Sequence, residues 1–164
     1  MIQRIQTVYL LLVVIAAVLL LWQPVLSFTT TEEAEVQHFA TLSAIHGLQE
    51  QALWDNADNE PVTLQGTWGL LLTTALIALL ALVDIFLYNK RILQARLNIF
   101  LACLCVGYYG VLAIFAWFVK MNLAMEWHVL PWAGLPLVCL VLTLMATRAI
   151  LKDEALVRAA DRLR

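Results

Sequence analysis

Asp84 is the one carboxylate that falls inside an apolar run of this 164-residue sequence. Acids within membrane-spanning segments are rare and often mark proton or ion paths. Asp84 lies about one helical turn from a basic stretch, near an interface and not at a midplane. Arg148 falls at a similar depth on another apolar run. Arg91 follows Asp84 by seven residues, which returns to nearly the same face of a helix. A structural Asp84–Arg148 or Asp84–Arg91 ion pair is the plain expectation, and ion transport the sharper one.

The other residues with chemical potential point away from catalysis. His38, His46 and His128 all lie outside the apolar runs, so no bis-histidine haem site is available within them. His46 and Glu50 stand one turn apart, but zinc takes three or four such ligands, and solvated loop histidines are the simpler reading. Cys103 and Cys105, two residues apart on a helix, point away from each other, and Cys139 sits on a different run. No C-x-x-C occurs, which counts against a thiol–quinone oxidoreductase. Buried, inert cysteines are expected. Tyr108 and Tyr109, deep in an apolar run, need hydrogen-bond partners or a polar cavity. No phosphate-cradling glycine loop, nucleophile elbow or H-E-x-x-H is present. The sequence therefore predicts a protein that is not an enzyme, with no metal and no cofactor.

The elements that must position these residues follow from composition. Hydrophobic residues make up 63% of the chain and charged ones 13%, with a mean hydropathy of +0.84. Soluble domains run nearer ~45–50% and ~25%, so a polytopic membrane protein is expected. A helix rising ~1.5 Å per residue needs ~20 residues to cross a ~30 Å hydrocarbon core. Four apolar runs meet that length, at about 9–28, 67–88, 97–119 and 130–150. The first ends in Trp22-Gln23-Pro24 without an A-x-A-like cleavage site, which favours an uncleaved helix over a signal peptide. Pro136 is expected to kink the fourth helix. Cys103, Gly107 and Gly110 form a ridge of small residues on helix three, and Thr74, Ala78 and Ala81 one on helix two. Such ridges let helices approach closely in lipid.

Residues 29–66 form the only long polar segment, acidic and free of Lys and Arg. Thr30 and Glu33 fit a capping box, and Val36, Phe39, Leu42, Ile45 and Leu48 recur every three residues. An amphipathic helix on the outer bilayer face is the expected form, ended by a turn-rich stretch around Asp55-Asn56-Ala57-Asp58. Residues 89–96 read as a cytoplasmic hinge and 151–164 as a cytoplasmic amphipathic helix.

Charge orients the whole. With both termini inside, Arg4, Lys90, Arg91, Arg96, Arg148, Lys152, Arg158, Arg162 and Arg164 share the inner side, and Lys120 alone lies outside. Trp22, Trp68, Trp117 and Trp132 each fall at the outer end of one run, as an interfacial tryptophan belt requires. The predicted fold is an all-α, antiparallel four-transmembrane-helix bundle, N-in and C-in, in one membrane domain.

Three segments carry a family resemblance: Met1-Ile2-Gln3-Arg4-Ile5-Gln6-Thr7, Tyr88-Asn89-Lys90-Arg91 with Leu93-Gln94, and Lys152-Asp153-Glu154 through Leu156-Val157-Arg158 to Asp161-Arg162-Leu163-Arg164. Together they resemble the four-helix membrane proteins of Bacteroidota known as domain of unknown function 4293. The resemblance spans the chain and implies a small bacterial inner-membrane protein, with no activity to carry over. All three segments fall on the inner side of the derived topology. The expected function is a non-enzymatic accessory or assembly subunit. It would dock a membrane or cytoplasmic protein partner through Arg4, Lys90, Arg91, Gln94, Arg96, Asp153, Glu154, Arg158, Asp161 and Arg162. The bilayer is its other partner, and nucleic acid is not expected. The alternative is a small transporter or envelope sensor using Asp84 and the Tyr108–Tyr109 region.

Overall fold

In lipid no water satisfies a backbone N–H, so long apolar runs must close their own hydrogen bonds as helices. The computed structural model describes residues 3–29, 38–52, 62–87, 91–123 and 126–162, and the runs are helical there. Helix α1 spans Gln3–Trp22, α2 Trp68–Phe86, α3 Arg91–Leu123 and α4 Leu135–Arg162. The stretches Trp68–Phe86, Ile92–Met121 and Pro131–Leu156, the last beginning in the 3-10 turn that leads into α4, are long and apolar enough to cross a membrane, while the apolar part of α1, Gln6–Trp22, is shorter. Helix α1 packs on α2 and α4, and α3 closes the ring by packing on the same two.

Each helix turns one stripe inward at alternating spacings of three and four. On α2 the stripe is Leu70, Thr74, Ile77, Ala81 and Asp84; on α3 it is Gln94, Asn98, Leu101, Cys105, Tyr108 and Leu112. This is the seam that lets nearly antiparallel helices interlock. The opposite faces expose Leu11, Leu72, Phe100, Ile114, Leu137 and Val141. A water-soluble surface rarely carries so continuous an apolar girdle; facing lipid, it has no cost.

The outer segment corrects the all-α expectation. In place of an outer amphipathic helix there are strands β1 (Leu26–Thr29), β2 (His38–Ser43), β3 (Gly47–Ala52) and β4 (Val62–Gln65). With β5 (Glu126–Val129) they form a five-stranded antiparallel sheet in the order β4-β3-β2-β1-β5. The physical reason lies at Gly47, whose φ of 74° closes the β2–β3 turn and would interrupt a helix. The three-residue recurrence was also the wrong period. Ala40 and Leu42 alternate inward on β2, and Leu48 opposes Leu42 across the hairpin. Thr30 and Glu33 lie outside the described residues.

The helix limits also shift. Pro24 follows the end of α1, so residues 26–28 of the first expected span belong to β1. Helix α3 begins at Arg91, inside the expected hinge, and α4 runs unbroken to Arg162, so the tail is its continuation. Pro136 produces no mid-helix kink because it occupies the first turn of α4, after a 3-10 turn at Pro131–Gly134. Gly107 and Gly110 face outward with nothing near them, and Cys103 is exposed, so that small-residue ridge is not a packing seam. The ridge on α2 is packed, with Thr74 and Ala81 buried.

The sheet covers one end of the ring: it follows α1, precedes α2, and receives β5 from the α3–α4 connection. Hydrogen bonds fasten it there. Ile45 N–H donates to Leu21 O at the end of α1 (3.3 Å), and Leu130 N–H to Val25 O (3.1 Å). The Thr67 hydroxyl, at the start of α2, donates to Ser43 O (3.0 Å). Trp22, Trp68, Trp117 and Trp132 are exposed at or near the helix ends on this side, matching the belt read from the sequence.

Candidate functional site: a buried polar centre

At the end away from the sheet, the inward stripes stop being apolar. Gln6 on α1, Asp84 on α2 and Gln94 and Asn98 on α3 are all buried. Asp84 is 1% exposed and Asn98 0%.

Packing register places these groups at one level. The Gln94 side-chain amide donates to Asp84 O (3.2 Å), which ties the start of α3 to the last turn of α2. Asn98 stands one turn further along the same stripe. Across the ring, the Cys139 thiol lies 3.9 Å from Val13 O, fixing α4 against α1. From that contact Gln6 is seven residues toward the far end on α1, and Thr147 eight residues in the same direction on α4. Asp84 follows Trp68 by sixteen residues and Gln6 precedes Trp22 by sixteen, about 24 Å from the tryptophan belt at the helical rise. That depth is inside a hydrocarbon core, toward its far boundary.

The hydrogen-bond accounts differ from residue to residue. Thr143 and Thr147 satisfy their hydroxyl protons on Cys139 O (2.7 Å) and Thr143 O (2.9 Å). Both Asp84 carboxylate oxygens, both polar atoms of the Asn98 amide, and the Gln6 amide nitrogen have no hydrogen-bond partner among the described residues. Two unpartnered amide donors thus lie, by helix register, within about a turn of the level of an unpartnered carboxylate. Buried polar atoms are nearly always paired, and a cluster of exceptions calls for a specific explanation. Chemically, the set offers carboxylate and amide oxygens for a small cation or a proton, with amide N–H groups to orient a water.

The expected residues divide as follows. Arg148 is exposed, and with neither Asp84 oxygen hydrogen-bonded the Asp84–Arg148 pair is not formed. The Arg91 side chain lies outside the described residues, as do those of Arg4, Lys90, Arg158, Asp161 and Arg162. Gln94, expected on a docking surface, is 4% exposed and belongs to the polar centre. Arg96 is exposed, and Asp153 and Glu154 are half-buried.

The two tyrosines part company. The Tyr109 hydroxyl donates to Ala133 O (2.8 Å) and accepts from Leu137 N–H (3.1 Å). It bridges the two backbone groups that one helical turn would otherwise join, at the turn where Pro136 offers no N–H. Tyr108 is fully buried and its hydroxyl has no protein partner. Cys105 and Cys139 are buried. His46 lies beside the Ser43 hydroxyl (3.3 Å) and His128 beside that of Thr29 (3.2 Å), both at the sheet. Among the described residues no group of three metal-ligating side chains comes together.

Gln6 and Asn98 are functional candidates that the sequence reading missed. A signal existed for Asn98: an amide in an apolar run, four residues from Gln94 and ten from Tyr108, all on one stripe.

Three membrane-length apolar helices, an exposed apolar girdle and a polar centre within define a membrane protein. The chain belongs to the family described as domain of unknown function DUF4293, whose model matches residues 2–163. No curated protein matches the sequence.

Proposed function

We propose that this is a small multi-pass transporter of a bacterial inner membrane that binds a proton or an alkali cation at Asp84. The observation that carries the reading is the 1% exposed carboxylate whose two oxygens have no hydrogen-bond partner among the described residues. An ionised acid at this depth requires a compensating cation, and a neutral one requires a proton. Asn98 and Gln6 supply the polar surroundings through which either would pass.

The topology proposed with it is four crossings, N-in and C-in, with the sheet outside. Helix α1, at 20 residues, reaches about 30 Å, enough to span. The cations Arg4, Arg96, Arg148, Lys152 and Arg158 lie at or beyond the Asp84 end, and Lys120 lies at the sheet end. The positive-inside rule puts the polar centre on the cytoplasmic side.

The test is flux in proteoliposomes carrying an internal pH dye, driven by a potassium–valinomycin potential with and without a sodium gradient. Wild type and Asp84→Glu are expected to carry flux and Asp84→Asn to lose it. Equal traces from empty vesicles and wild type remove the reading.

A second reading is favoured by the far ends of α3 and α4. Ile92, Leu93, Leu151 and Leu156 are exposed there, close to the Asp84 end, beside Arg96 and Lys152. An accessory or assembly subunit would present this surface to a protein partner. Lys90→Glu, Arg91→Glu and Arg158→Glu combined are expected to abolish co-purification of that partner, and an unchanged set of co-purifying proteins contradicts it.

A further inference from the structure

A second feature lies at the opposite end, independent of Asp84. Between α3 and the start of α4, beneath β5, there is a groove of about 570 Å³. Ligand pockets usually run about 300–1,000 Å³, so the volume is that of a binding site and not a packing defect. Ala113, Ala116 and Trp117 line it from α3, and Trp127 and Val129 from β5. Strand alternation explains the last two: residues 127 and 129 share one face, while His128 turns the other way to the Thr29 hydroxyl. The groove is apolar except at one place, where Lys120 joins its lining near the end of α3.

The position of the groove narrows its occupant. Trp117 is 71% exposed and Trp127 47%, at the level where tryptophans mark the boundary between hydrocarbon and headgroups. An apolar trough there, with an exposed ammonium on its rim, matches an amphiphile with an acyl chain and an anionic head. Lys120 also complements the helix dipole at the end of α3, but that role does not require a cavity beside it.

We infer that this groove is a site for an anionic phospholipid of the sheet-side leaflet, one acyl chain lying on Ala113 and Ala116 and the phosphate on Lys120. Any lipid-facing hollow is filled by lipid. The claim is selective retention of a phospholipid with net negative charge over a zwitterionic one. On one side of the trough the Tyr109 bridge to Ala133 and Leu137 ties α3 to the start of α4.

The experiment is native mass spectrometry of the full chain, equilibrated in detergent with equal amounts of phosphatidylglycerol and phosphatidylcholine. One cation near a headgroup gives about a fivefold preference, and wild type is expected to retain phosphatidylglycerol over phosphatidylcholine by that factor. Lys120→Gln is expected to retain both equally, and Lys120→Arg to keep the preference. Ala113→Trp, which fills the trough from its exposed rim, is expected to lose the adduct of both lipids. Equal retention by wild type, an unchanged preference in Lys120→Gln, or a persisting adduct in folded Ala113→Trp each overturns the assignment.

Discussion

The two ends of the helical ring solve the same problem in opposite ways. At the sheet end, backbone and hydroxyl groups left over by helix termini are taken up by neighbours: Leu21 O by Ile45, Ser43 O by Thr67, Ala133 O and Leu137 N–H by Tyr109. At the far end, Gln94 makes one such tie to Asp84 O, while the Asp84 carboxylate, the Asn98 amide and the Gln6 nitrogen stay unpartnered. Buried polar residues occur at both ends, Ser27, Ser43 and Thr67 at the sheet and Gln6, Asp84, Gln94 and Asn98 at the other. What differs is satisfaction, and unsatisfied burial costs stability that a purely structural end has no reason to give up. The sheet end reads as the part that fixes the fold, and the far end as the part that was left poised for something else.

Substitutions at satisfied and at unpartnered positions should therefore differ in sign, and unfolding in detergent micelles followed by tryptophan fluorescence measures it. The largest effect is expected at the sheet, where Phe28 is fully buried. Phe28→Ala should cost about 3–5 kcal/mol, the usual range for emptying an aromatic core position. Tyr109→Phe should cost about 1–3 kcal/mol, since it leaves the part-buried Ala133 O and the outward-facing Leu137 N–H without their shared partner where lipid offers none. At the far end, Asp84→Leu should instead stabilise by about 1–2 kcal/mol, because it replaces an unpartnered polar group with an apolar one. A loss of stability in that variant would break the comparison and mark Asp84 as structural. The smallest effect belongs to Gln94→Leu, a cost of about 0.5–1 kcal/mol, because Asp84 O still accepts from Leu87 N–H (3.2 Å).

How far the sequence could be read depended on whether the signal was local. Helices of membrane length announce themselves through uninterrupted apolar runs, and exposed Trp22, Trp68, Trp117 and Trp132 mark the sheet end as their positions implied. Asp84 was legible because a single acid in an apolar run has no solvent to explain it. Asn98 and Gln6 were harder. An amide in an apolar helix is common, and only the packing of α1, α2 and α3 shows that these amides lie near the level of the acid. The sheet was hidden for a different reason. Strand β1 pairs with β5 across about a hundred residues, Leu26 opposite Val129, and no pattern within residues 29–66 records that partner. The three-residue recurrence looked helical, but Leu42 and Leu48 face each other on paired strands and Ile45 lies in the turn between them.

The proposed exchange of a proton or a small cation at the Asp84 carboxyl has a direct spectroscopic test. Infrared difference spectroscopy on the reconstituted protein reads that group itself, with pH steps and sodium steps applied to the same film. The account expects a carboxyl band that changes with one of the two steps and is absent from Asp84→Asn. A spectrum in which wild type and Asp84→Asn are superimposable under both steps would contradict it.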